Sequence, residues 1–219
     1  MLIVERAQAL TDEVFAAVAA VREATVRLAG GGPLRSTDLA ALRPLLFERL
    51  GPLVVGLGFI ALPGLLADSH WYLEWWQHDP DGGVPRQFNA ELDPARPAFY
   101  DYTQWDWFAG PQAGAERSIC GPYVDYLCTD EYSLTFSLPV LAGGAFVGVA
   151  AADVFVSAFE RAVLPALKDL RAPAFIASAA GRVIASTSAR WTSGAVYRGA
   201  PGHTSHPIGR TGLSLITAG

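Results

Sequence analysis

Cysteine is scarce: only Cys120 and Cys128 occur in 219 residues. Two cysteines make no disulfide framework. Read as extended, the chain between them spans up to about 26 Å at roughly 3.3 Å per residue. Both therefore read as thiols, which fits a reducing compartment. Charge is also sparse, at 17% of residues, with a net of −5. No Lys/Arg cluster appears, which excludes the usual footprint of a nucleic-acid binder. The mild negative charge suits a cationic ligand, although many proteins share it. A long apolar run is missing as well. The N-terminus meets Glu5, Arg6, Asp12 and Glu13 too early for a signal-peptide core. The most apolar stretch, Gly51 to Ala67, is interrupted by Gly56, Gly58, Pro63 and Gly64. A membrane helix needs about 20 apolar residues. No membrane segment is expected, and the expected location is cytoplasmic.

Catalytic signatures are missing too. The sequence has no G-x-S-x-G elbow and no H-E-x-x-H. His203 and His206 form an H-x2-H pair without a Cys or carboxylate beside them, a poor metal set. Gly30-Gly31-Gly32 lacks the Lys-Ser/Thr ending of a phosphate loop and reads as a helix stop. Neither a metal nor a cofactor is called for, and the chain is not expected to be an enzyme.

What is present is apolar mass. Hydrophobic residues make up 51% of the chain, enough for a sizeable core in one large domain, or a domain with a small appendage. Val14, Val18, Val21, Thr25 and Leu28 recur at helical spacing and draw one stripe. The stripe packs a helix on its own domain or forms a homodimer seam. A second helix is expected over Ser36 to Leu50, with Ser36, Thr37 and Asp38 as capping residues and Leu39, Leu42, Leu46 and Leu50 as its apolar face. Strands follow at Leu53 to Ile60, His70 to Gln77, Gln87 to Leu92, Ser118 to Tyr126, Tyr132 to Pro139 and Ala145 to Val154. Alternation puts Trp71, Leu73 and Trp75 on one face and Tyr72, Glu74 and Trp76 on the other. Ala142-Gly143-Gly144 turns the last two strands into a hairpin. A helix over Ser157 to Leu170, a small hairpin turning at Ala180-Gly181 and a loop-like tail complete the chain. Helices gathered at the N-terminus before consecutive antiparallel strands predict an α+β fold. The predicted organisation is an N-terminal helix at 1–34, a ligand-binding domain at 35–170 and a C-terminal hairpin and tail at 171–219.

Aromatic residues crowd between Trp71 and Tyr126, and all tryptophans but Trp191 lie there. A plain aromatic core explains some of them. Indole and phenol tips need partners when buried, however, and a ligand pocket uses such rings well. Asp125 and Asp153 stand among these segments. Asp153 sits in the apolar strand VGVAAADVFV, where an unpaired carboxylate is costly. One reading has it capping the helix near Ser157, and another keeps it as the anion for a cationic ligand. In principle the two aspartates also suit an acid/base pair.

FYDYTQWDWF, then GPYVD, then SLPVLAGGAFVGVAAADV resembles the Cache family of small-molecule sensors over about Pro52 to Phe159. The resemblance implies a PAS-like antiparallel sheet behind a long N-terminal helix. In amino-acid-binding members the loop reads Y-x4-R-x-W-Y. Its Arg, Tyr and Trp hold the ligand carboxylate, and a later tyrosine and two aspartates hold the amino group. By that resemblance Tyr100, Trp107, Tyr123, Asp125 and Asp153 fall on family positions. Trp105 replaces the arginine and Phe108 the second aromatic. Arginine is the natural bidentate partner of a carboxylate. Its loss, with the amine half kept, predicts a ligand with an ammonium and no essential carboxylate. Ring faces attract ammonium by roughly 0.5–2 kcal/mol each, and a charged hydrogen bond adds about 1.5–3 kcal/mol. The expected ligand is a biogenic amine, a polyamine or a quaternary ammonium, and N–H donors for two aspartates favour a primary amine. The predicted site is Trp75, Tyr100, Trp105, Trp107, Phe108, Tyr123, Asp125 and Asp153. Amino-acid binding, an enzyme acting on an amine and a protein with a vestigial pocket are the competing readings. Family members carry a membrane anchor and a signalling output. This chain shows neither, so the expectation is a stand-alone module with a signalling partner not visible in its sequence.

Overall fold

The computed structural model describes residues 2–124 and 131–218. Helix α1 runs over Leu2–Ala29. Val14, Val18, Val21 and Thr25 of its stripe are wholly buried within this one chain. The Thr25 hydroxyl donates to the Val21 carbonyl at 2.9 Å, so burying it leaves no polar atom unmet. The stripe therefore packs the helix onto its own fold and is not a seam for a second copy. Glu5, Asp12, Glu13, Ala16 and Glu23 are the exposed side.

The single helix expected over Ser36 to Leu50 is two pieces, a 3-10 turn at Ser36–Leu42 and helix α2 at Arg43–Arg49. Pro44 is the cause: it starts a helix readily but cannot continue one. Leu39, Leu42 and Leu46 are buried as the pattern required. The capping differs. Asp38 accepts from the Arg35 backbone N–H, and Asp68, far away in sequence, accepts from the Ser36 N–H and hydroxyl.

The main sheet contains β1 Gly56–Ala61, β2 Leu73–Gln77, β3 Arg86–Gln87, β4 Ser118–Val124, β5 Tyr132–Ala142 and β6 Ala145–Phe155. Its spatial order is β3-β2-β1-β6-β5-β4, with β1 antiparallel to both β2 and β6. Gly143 and Gly144 make the turn between β5 and β6. The third strand is shorter than expected and ends at Gln87. The fold class is α+β, as the sequence predicted.

The segment read as loop contains helix α3, Asp106–Gln112. Helix α4, Val156–Lys168, follows β6. Beyond it, β7 Ala174–Ala177, β8 Val183–Ser186, β9 His203–Pro207 and β10 Ser214–Ala218 form a second sheet in the order β8-β7-β10-β9, and α4 packs on β8. The tail expected to be loop thus supplies two strands. Leu215 pairs with Ile176 and Ile216 with Phe175, so the tail buries apolar side chains against the hairpin. Strand β9, HTSHP, is polar and mostly exposed, which hid it.

Two compact units emerge, and neither is contiguous in sequence. One comprises Met1–Glu13, Ile119–Leu134 and Val154–Gly219, and the other Val14–Ser118 and Thr135–Asp153. Among the described residues no helix is long and apolar enough to cross a membrane.

Candidate functional site

Strand register assembles the floor of the site. Asp153 pairs with Gly56 and Ala151 with Gly58, while Gly56 and Gly58 pair on their other side with Gln77 and Trp75. Directly opposed antiparallel residues share a face. Trp75, Asp153, Gly56, Gly58 and Ala151 therefore lie on one side of the sheet. A Cβ built on Gly56 would stand 2.8 Å from Trp75 Cζ2, so the indole lies flat over that glycine, beside the Asp153 row. The nearly buried Trp75 and the half-buried Asp153 are thus brought together.

The two acids in these strands have opposite surroundings. Glu74, on the other face, is 0% exposed and accepts from Arg43 Nε at 2.8 Å, the Tyr72 hydroxyl at 2.9 Å and Trp76 Nε1 at 2.6 Å. Arg43 also lies over the Trp76 ring, 5.2 Å from its centroid. Burial first, and then the Glu74 charge, push the Tyr72 hydroxyl up to about 12. Asp153 instead accepts the Thr135 hydroxyl at 2.6 Å. The N-cap position of α4 is held by Phe155, whose side chain makes no capping bond.

Tyr102 fixes the aromatic loop. It is fully buried, donates its hydroxyl to the Ala61 carbonyl at 2.9 Å and accepts from the Tyr72 N–H at 3.3 Å. Burial pushes this hydroxyl up to about 12. Asp101 steadies the turn by accepting from the Thr103 N–H at 3.0 Å. Trp105 then occupies the N-cap of α3. From there Trp107 and Phe108 turn inward, with Phe108 edge-on to Phe146 at 5.8 Å and tilted against Tyr102 at 5.4 Å. Tyr100 stands 6.4 Å from the Trp105 ring. Trp105 itself is 41% exposed, more open than a closing wall would be.

Of the predicted site residues, Trp75, Tyr100, Trp105, Trp107, Phe108 and Asp153 belong to one compact unit. Tyr123 is half-buried on β4 and belongs to the other. Asp125 lies outside the described residues, as does Cys128. Three contributors were not singled out in the sequence: Tyr102, Thr135 and the fully buried Ser137. Their signal was legible in part, since S-x-T-x-S alternates with apolar residues along β5.

Several arginines of this unit are already engaged: Arg43 with Glu74, Arg49 with Glu48, Arg86 with Asp79, Arg96 with Asp93, and Arg117 over the Phe15 ring. Among the described residues no group of three or more His, Cys, Asp or Glu could hold a metal. His203 and His206 are three positions apart on β9, hence on opposite faces. His203 stacks on Tyr197, and His206 Nε2 lies 3.4 Å from the Thr217 hydroxyl.

No family model and no curated protein matches the chain. Solved structures do. The extracellular domain assigned to a histidine kinase, soHK1S-Z6, superposes with a TM-score of 0.67 at 13% identity, covering 98% of this chain and 88% of that one. The ligand-binding domain of the Pseudomonas aeruginosa PAO1 amino-acid chemoreceptor PctC, in complex with GABA, gives 0.61 at 19% identity, covering 99% and 94%. That of the Campylobacter jejuni chemoreceptor Tlp3, in complex with L-valine, gives 0.63 at 12% identity, covering 98% and 88%. The fold is that of a Cache sensory domain. In this Cache fold the register of β1, β2 and β6 lays the floor with Trp75 and Asp153, and the loop pinned by Tyr102 carries the remaining rings.

Proposed function

We propose that the chain is a Cache-type sensor for a small cationic amine, held by Asp153 and by aromatic rings of the loop and of β2. One observation carries the reading. A strand aspartate, oriented by the Thr135 hydroxyl, lies on the sheet face that Trp75 covers, while the family's carboxylate-binding arginine position is Trp105. An ionised carboxylate is an acceptor-only group with several lone-pair sites, which an ammonium can share with a hydroxyl. The arginines named above already have partners, and the loop offers an indole where the family places the guanidinium.

A second reading, an amino-acid sensor, is favoured by the GABA and L-valine complexes of similar folds. Matched ligands separate the two. A ligand bound only by the folded state raises the melting temperature. Valine and GABA should leave it unchanged, while isobutylamine and propylamine, their decarboxylated counterparts, raise it by several degrees at millimolar concentration. Asp153→Asn should abolish that rise and still give a cooperative melt. Stabilisation by the amino acids and not by the amines would overturn the amine reading.

The module senses and does not catalyse in this proposal, and turnover of a bound amine would end it. A homodimer through α1 would use the face carrying Glu5, Asp12, Glu13, Ala16 and Glu23, because the apolar stripe is buried. The cytoplasmic location is likewise proposed, on the scarcity of cysteine, with cell fractionation as its check.

A further inference from the structure

A groove runs between α1 and the end of β5. Phe15, Ala19, Arg22 and Val26 recur at steps of four, three and four, so they line one side of α1, one position on from the buried stripe. Over those residues the side of the helix extends about 16 Å. Leu138, Pro139 and Leu141 of β5 form the facing wall, and Glu116 and Arg117, which lead into β4, also line the space. All of them belong to one compact unit. The groove holds about 520 Å³, and small-molecule sites usually hold about 300–1,000 Å³. Phe136 packs edge-on against Phe15 at 5.2 Å, so Phe136 and Leu138 face the helix, while Thr135 turns the other way to Asp153. The groove and the Asp153 floor therefore lie on opposite faces of the main sheet.

Apart from Phe15 the apolar lining is aliphatic, and Leu141 is 50% exposed. The charges beside it are unbalanced. Arg22 is half-buried, and among the described residues its guanidinium has no hydrogen-bond or ion-pair partner. The Arg117 guanidinium lies over the Phe15 ring, 4.8 Å from its centroid. Against these two arginines, Glu116 is the one acid among the described lining residues. This local excess of positive charge runs against the net charge of −5 on the chain. An arginine stem can lie along apolar surface with its head in water, but here open space remains beside the stem of Arg22.

We propose that this groove is a second ligand site, for an alkyl carboxylate of medium chain length. The tail lies along Ala19, Val26, Leu138 and Leu141, and the carboxylate meets Arg22. A guanidinium offers a carboxylate two parallel N–H donors. Aliphatic walls give a sugar or an amino acid nothing to hydrogen-bond, whereas an alkyl tail gains by leaving water. Two arginines against one acid disfavour a cation, so this site and the amine site select opposite charges. The inference stands apart from the amine reading and survives its failure.

The test is calorimetric titration of the full chain with octanoate, butyrate and 1-octanol. Octanoate should bind about tenfold or more tightly than butyrate, since each buried methylene strengthens binding by about two- to fourfold. It should bind about tenfold more tightly than 1-octanol, for the charge-assisted bond to Arg22. Arg22→Gln should remove the preference over 1-octanol and keep the melting temperature. Glu116→Gln, on an exposed side chain, should tighten octanoate by about two- to threefold, the range of an exposed charge contact. Asp153→Asn should bind octanoate as wild type does, because that residue lies across the sheet. The proposal is overturned if octanoate does not bind wild type, if it binds no better than 1-octanol, or if its affinity is unchanged in both Arg22→Gln and Glu116→Gln. Loss of octanoate binding in Asp153→Asn would place the carboxylate elsewhere and overturns it as well.

Discussion

Glu74 and Arg43 show how differently two partners of one ion pair depend on each other. The Glu74 side chain is 0% exposed and Arg43 is 38% exposed. Without Glu74, the guanidinium turns to water along its long stem. Without Arg43, a fully buried carboxylate keeps only the neutral donors Tyr72 and Trp76. Arg43→Ala should therefore cost about 3–5 kcal/mol, the usual penalty for an abandoned buried charge. Glu74→Gln should cost less than Arg43→Ala, and urea unfolding of the two variants checks the order. Tyr102 and Tyr72 give a pH signature. Both hydroxyls are pushed up to about 12 from an ordinary value near 10. A raised value means that the neutral form belongs to the fold. Their contribution is complete below pH 10 and is lost as pH rises through 12. The urea midpoint should fall across that window. Tyr102→Phe should flatten the fall while lowering stability at neutral pH by about 1 kcal/mol, for the lost bond to Ala61. A midpoint flat from pH 10 to 12 in wild type would refute the assignment.

At the scale of elements, what the sequence made legible tracks how periodic each element is. The α1 stripe repeats over about four turns, and the alternation from Trp71 to Gln77 is confirmed by the fate of Glu74 and Trp75 on opposite faces. The hairpin turn at Gly143 and Gly144 was equally plain. Helix α3 was not, because DWFAGPQ carries Gly110 and Pro111 and reads as loop. Tertiary contacts of Phe108 hold it instead. Strand β1 has two glycines whose consequences differ. At Gly56 an added Cβ meets the Trp75 ring at 2.8 Å, a side chain able to swing, whereas at Gly58 it runs into the Glu74 carbonyl on the neighbouring strand. Gly56→Ala should keep a cooperative fold, shift the tryptophan emission and weaken ligand binding severalfold. Gly58→Ala should break the pairing of β1 with β2 and cost several kcal/mol, within the range of backbone-level disruptions. Equal stability of the two variants would contradict the register described.

For the whole molecule, net charge adds a term that no single residue carries. The chain has a formal net charge of −5, and the proposed ligand is a cation. Charges more than a Debye length from the site, about 8 Å at physiological ionic strength, are screened by salt, while a half-buried contact is screened far less. Two contributions should then separate in a titration of pentylamine from 20 to 200 mM sodium chloride. The diffuse field of the surface acids should vanish, weakening affinity by about two- to fivefold, mostly through slower association. The contact with Asp153 should persist, so binding levels off and does not disappear. An affinity that falls a hundredfold would place the cation on an open acidic surface and not over the sheet floor of Gly56, Gly58 and Ala151. A plateau reached early, with Asp153→Asn removing what remains, is the outcome that ties the fold, the register and the charge of the chain to one site.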